Sequence, residues 1–165
     1  AAEIVAHDPC TQRLFVVNGF DRTIDVINVQ NAETPLLVGK VNIPADFSPN
    51  SVVFLPKHDA IAIAAGNEAN PLLNGKIFFF DVDVKGLSLS GLVPTSAVEV
   101  GNRPDSLTLT KDGKYILVAN EGELLEDLVD PAGSVSIILV KDGIVASKLK
   151  VATLGFANLD TATLK

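Results

Sequence analysis

An internal repeat limits what this chain can fold into more than any other feature. "EIVAHDPCTQRLFVVN" (Glu3–Asn18), "NSVVFLPKHDAIAIAA" (Asn50–Ala65) and "DSLTLTKDGKYILVAN" (Asp105–Asn120) are the same length and align without a gap. Each reads as strand, tight turn, strand, with the turns at Asp8-Pro9, Pro56-Lys57 and Asp112-Gly113. A third strand follows in each copy: "TIDVINV" from Thr23, "KIFFFDV" from Lys76 and "SVSIILV" from Ser134. A fourth comes next: "GKVNI" from Gly39, "SAVEV" from Ser96 and "SKLKV" from Ser147. β-branched and aromatic residues dominate, and no helical period competes.

Four short antiparallel strands recurring every 45 to 55 residues describe a β-propeller blade. A β-sandwich would give no reason for one unit to recur in register. The expected fold is all-β: three consecutive four-stranded antiparallel blades of a larger propeller. Blade 1 covers about 3–43, blade 2 about 50–100 and blade 3 about 105–151, with 152–165 approaching a further blade. Closed propellers have four to eight blades. Three would leave an apolar blade face bare at each end, to be covered by the remainder of the propeller, a second copy or a partner chain.

The net charge of −7 argues against nucleic acid as a ligand, since phosphates call for clustered Lys and Arg. No apolar run is long enough to span a membrane. Cys10 is the only cysteine, which excludes an intrachain disulfide and a zinc site of the CxxC kind. The start at Ala1-Ala2-Glu3 suits a mature chain after signal cleavage, so a secreted, periplasmic or cell-surface location is expected.

"RLFVVNGFDRTIDVINV" resembles the YVTN-type propeller repeat. Together, "AEIVAHDP", "LFVVNG", "PDSLTLTKDGKYILVANEGE" and "DPAGSVSII" resemble the choice-of-anchor I domain proteins, a mostly bacterial group of secreted or surface-attached propellers. That family's propellers are more than twice as long as this chain, which implies a fragment or a chain completed by another. Some related proteins are labelled atypical alkaline phosphatases. The resemblance thus implies, as one alternative, a metal-dependent phosphatase or phosphodiesterase.

Antiparallel alternation puts the strand 2-to-3 loops and the blade-to-blade connections on one end of the blades. Asn50, Asn67, Glu68, Arg103, Asp105 and Asn120 are therefore expected on a shared ligand-binding rim, with Glu121 and Glu123 beside them. Asn18 and Asn120 also suit turn support, because Asn tolerates left-handed backbone and bonds locally. The loop "NEGELLEDLVDP" offers Glu121, Glu123 and Asp127 as ligands for calcium or another divalent metal. The reading preferred on the residues alone is a solvated acidic loop. "DVDVKG" from Asp81 departs from an EF-hand loop, with Lys85 where an oxygen ligand is needed. His7 falls within strand 1 and His58 in an opposite-end turn, so neither serves a rim serine; no GxSxG elbow exists. Phe78, Phe79 and Phe80 read as core. Two functions remain: a binding or scaffold protein acting through the rim, and a metal-assisted phosphoesterase.

Overall fold

The computed structural model describes residues 2–82, 92–123 and 129–156. Twelve strands form three antiparallel sheets, each with its strands in chain order. The first sheet comprises β1 (Ala2–Asp8), β2 (Arg13–Asn18), β3 (Thr23–Asn28) and β4 (Leu36–Asn42). The second comprises β5 (Phe47–Leu55), β6 (Ala60–Asn67), β7 (Asn74–Asp81) and β8 (Ser96–Asn102). The third comprises β9 (Pro104–Leu109), β10 (Tyr115–Asn120), β11 (Ser134–Leu139) and β12 (Lys150–Gly155). Strands β1, β5 and β9 pack next to one another, so the sheets are arranged radially, as propeller blades are. No helix among the described residues is long and apolar enough to cross a membrane.

Alternation along the strands builds two separate cores. Ile61, Ile63, Phe78 and Phe80 of the second sheet meet Phe15 and Val17 of the first. Ala60, Ala62, Ala64 and Phe79 face the third sheet, where Ile116, Val118 and Ile138 fill the space the alanines leave. β6 is covered on both faces, which is why "AIAIAA" runs apolar without a polar alternate. All three phenylalanines of β7 are core. The outward faces of the first and third sheets leave Val5, Leu37, Leu117 and Leu154 exposed.

Three strands differ from the sequence reading by three residues or more at one end; β4 begins at Leu36 rather than Gly39. β5 begins at Phe47, because β6 continues to Asn67 and pairs Phe47↔Asn67 and Ser48↔Gly66. The outermost strand of the third sheet lies at Lys150–Gly155 rather than 147–151. Leu139↔Lys150 and Ser134↔Gly155 set that register along β11. An outermost strand pairs on one edge only, so its own residue pattern constrains its position weakly.

The turns at the far end hold themselves. The Asp8 carboxylate accepts from the Cys10 amide at 2.9 Å and from the Thr11 hydroxyl, while Arg13 lies 3.5 Å away. Burial alone would raise the Asp8 pKa. The Thr11 hydroxyl, the Cys10 and Thr11 amides and the Arg13 guanidinium outweigh it and hold the carboxyl below its ordinary value.

Candidate functional site

The 2-to-3 loops and the blade-to-blade connections emerge at the same end, and contacts between blades tie them together. Arg22 of the first blade lies 3.6 Å from Glu68 of the second. The Asn50 amide donates to the Pro104 carbonyl at 2.9 Å. Arg103, between β8 and β9, pairs with Glu123 and lies 4.0 Å from Glu121. These groups are half exposed, so each pair adds little stability; what they supply is position.

Each innermost strand carries a register shift near this end: between Ala2 and Val5 in β1, between Pro49 and Ser51 in β5, and opposite Ala119 and Asn120 in β9. The unpaired residues in β5 and β9 are Asn50 and Asp105, at equivalent repeat positions; Glu3 holds that position in β1. A bulge turns the strand and re-aims side chains. Three polar residues are thereby presented where the innermost strands begin.

Of the six rim residues, Asn50, Asn67, Glu68 and Arg103 line one small pocket of about 70 Å³ with Pro71 and Leu73. Asp105 is exposed on β9. Asn120 is not at the surface. It is 3% exposed, and its amide donates to Ser134 at 3.0 Å and Ser136 at 2.9 Å, which joins β10 to β11. Gly101 of β8 lies directly over it, and a Cβ there would overlap the Asn120 amide and the Ser134 hydroxyl. Asn120 thus ties two strands of the third blade together beneath Gly101 of the second. Asn18 also supports its own turn, accepting from the Asp21 amide at 3.2 Å.

Glu121 and Glu123 flank Arg103, which occupies the place a cation would take between them. Gly122 adopts φ +63°, and a Cβ there would strike the Pro131 carbonyl, so the acidic loop closes tightly at its base. Asp127 lies outside the described residues, as does most of "DVDVKG". Among the described residues no three His, Cys, Asp or Glu side chains come together as metal ligands.

Sequence reasoning places Asn67 and Glu68, where β6 runs into the loop after it, on the rim but does not single out Leu72, Leu73 or Asn102. Asn102, buried at the end of β8, donates to the Pro71 carbonyl at 2.8 Å and the Leu73 carbonyl at 2.9 Å. Within the loop, the Asn67 side chain accepts from the Asn70 amide at 2.9 Å, and the Asn70 side chain from the Leu72 amide at 3.1 Å. This clamped loop displays Leu72 (46% exposed) and Leu73 (53%). Phe20, 87% exposed, sits in the neighbouring loop that Arg22 ties to Glu68. The available sequence signal was an Asn ending a strand directly before Arg103-Pro104.

Leu72, Asn74 and Glu99 are shared by two clefts of about 500 and 470 Å³, one toward Ser134 and Thr153, the other toward Phe47 and Lys76. Each cation at this end is engaged. Arg22 and Arg103 are paired as above, Lys40 lies 2.5 Å from Asp21 and 3.7 Å from Asp25, and the Lys76 amine sits 5.3 Å from the Phe47 ring centre. Glu3, Asp46, Glu99 and Asp105 have no cationic partner among the described residues.

A protein of solved structure from Lactobacillus plantarum superposes with a TM-score of 0.64 at 14% identity, covering 93% of this chain and 40% of its own. A functionally unknown protein from Desulfotomaculum acetoxidans gives 0.60 at 21% identity, covering 96% of this chain and 44% of its own. The chain therefore spans less than half the length of either, and the likeness is one of fold. Among curated proteins none matches. The profile of the choice-of-anchor I domain matches residues 3–165. Triplicated blades and a family match over nearly their full length agree: this chain belongs to the choice-of-anchor I domain family.

Proposed function

We propose that this chain is the recognition segment of a secreted or surface-associated β-propeller, and that it binds a partner at the rim built by the 2-to-3 and blade-to-blade loops. The observation carrying this reading is the clamp of Asn102 on the leucine loop, which holds Leu72 and Leu73 rigidly in solvent. Ordering a loop before binding removes much of the entropic cost of association. Large apolar side chains exposed together beside polar residues mark an interaction surface. Choice-of-anchor domains are typically extracellular or surface-associated, which suits such a role. The exposed faces carrying Val5, Leu37, Leu117 and Leu154 call for cover by further blades, a second copy or a partner chain. The metal-dependent phosphatase alternative draws no support from Glu121 and Glu123, whose carboxylates are taken up by Arg103.

The test probes the purified chain against arrays of bacterial surface glycans and of peptides, beside the Leu72→Ser/Leu73→Ser variant. Saturable binding that the double substitution abolishes is expected. Chelator-sensitive hydrolysis of p-nitrophenyl phosphate, with no rim-dependent binding, would overturn the reading in favour of the enzyme.

A further inference from the structure

Resting on the rim reading above, we infer that the groove on either side of Leu72 accepts an extended protein segment with basic side chains next to apolar ones. The groove shows three relevant properties. Its apolar knob is rigid, since Asn102 fixes the carbonyls of Pro71 and Leu73 from beneath. The clefts flanking the knob are each large enough for a side chain of the partner, at about 500 and 470 Å³. The larger cleft lies between β8, which contributes Glu99 to Asn102, and β12, which contributes Val151 and Thr153. Both are the outermost strands of their sheets. Such strands keep one edge of backbone donors and acceptors free of ladder partners, and an extended chain is the ligand that matches them.

Charge selects the partner's sign. Glu99 lines both clefts, and among the described residues its carboxylate accepts one hydrogen bond, from the Asn74 amide at 3.1 Å. Elsewhere at this end of the blades, Asp46, Asp105 and Asp130 likewise lack a cation among the described residues, while Arg22, Lys40 and Arg103 are paired with carboxylates and Lys76 lies over the Phe47 ring. An acidic segment would meet these carboxylates with only Lys76, which lines the smaller cleft and stands across the strand pair from Glu99, to offset the repulsion. A basic one is attracted before contact, which raises the association rate. One internal example of the chemistry is present: Lys76 already places its amine over the Phe47 ring at the end of the smaller cleft.

The experiment is selection of a random twelve-residue peptide library against the whole chain, followed by affinity measurement of the recovered peptides. Enriched sequences should combine Lys or Arg with Leu, Ile, Val or Phe. Leu72→Ser/Leu73→Ser should weaken their binding about tenfold or more. Glu99→Lys should lower the association rate and flatten its dependence on salt, with dissociation changed less. Both variants alter exposed side chains, so a folded control is given by unchanged circular dichroism. Recovery of acidic peptides, of no peptides, or of basic peptides indifferent to Glu99→Lys would overturn the inference. Glycan binding that still requires Leu72 and Leu73 would overturn it while leaving the rim reading standing. Ligands indifferent to both leucines would overturn the two together.

Discussion

Asn102 is the residue whose replacement speaks most directly to the rim. Its amide nitrogen makes two hydrogen bonds, 2.8 Å to the Pro71 carbonyl and 2.9 Å to the Leu73 carbonyl, and the side chain is buried at the end of β8. A typical intramolecular hydrogen bond contributes about 1 kcal/mol net, so Asn102→Ala should loosen the loop by about 2 kcal/mol. That corresponds to a roughly 30-fold rise in the population of the open loop. Native-state amide exchange reads the change at Asn70, Leu72 and Leu73. Their amides are bonded within the loop to the Asn67 side chain, the Asn70 side chain and the Asn70 carbonyl, respectively. Amides of the central strands β6 and β10 should change far less. Asn102→Asp is the companion variant: nearly the same shape, but an acceptor facing two carbonyl oxygens, so it should loosen the loop at least as much. Unchanged exchange at Leu72 and Leu73 in both variants would refute the claim that Asn102 holds the loop. If Asn102→Asp behaved like the parent chain, shape rather than donation would be responsible.

Gly101→Ala should destabilise the chain by about 1–3 kcal/mol in urea unfolding, because the added methyl overlaps the Asn120 amide and the Ser134 hydroxyl. Combining it with Asn120→Ala should recover part of that loss, and a double-mutant cycle would show the coupling. Phe79→Ala, at a side chain without solvent exposure between the second and third sheets, should cost about 3–5 kcal/mol by thermal or urea denaturation. Asp8 has a folded pKa held below 3.8, so its stabilising contribution is present above that value and is lost as pH falls through the folded one. Asp8→Asn should therefore flatten the acid limb of a urea-midpoint profile measured below about pH 4, and a profile identical to the parent's would remove Asp8 from the account.

The blades were legible in the sequence because their information is local. Alternation in "RLFVVN" and "YILVAN", the turn chemistry of Asp8-Pro9 and Asp112-Gly113, and recurrence of the unit each depend on near neighbours along the chain. The unbroken apolar run of β6 and the three phenylalanines of β7 likewise announce strands covered on both faces. The outer strand of the third blade escaped, since its register is dictated by β11 rather than by its own residues.

What the chain order settled about the rim is which connections share an end of the blades, and therefore that Asn50, Asn67, Glu68 and Arg103 could meet. The roles of those residues were decided in three dimensions. Asn120 went inward because Gly101, on a different sheet, presses over it. Glu121 and Glu123 met Arg103, and the leucine loop was fastened by an Asn about thirty residues further along the chain. Secondary structure follows from interactions that repeat with the backbone period, which a sequence displays. Which polar group satisfies which across two packed sheets follows from distances that no residue pattern encodes.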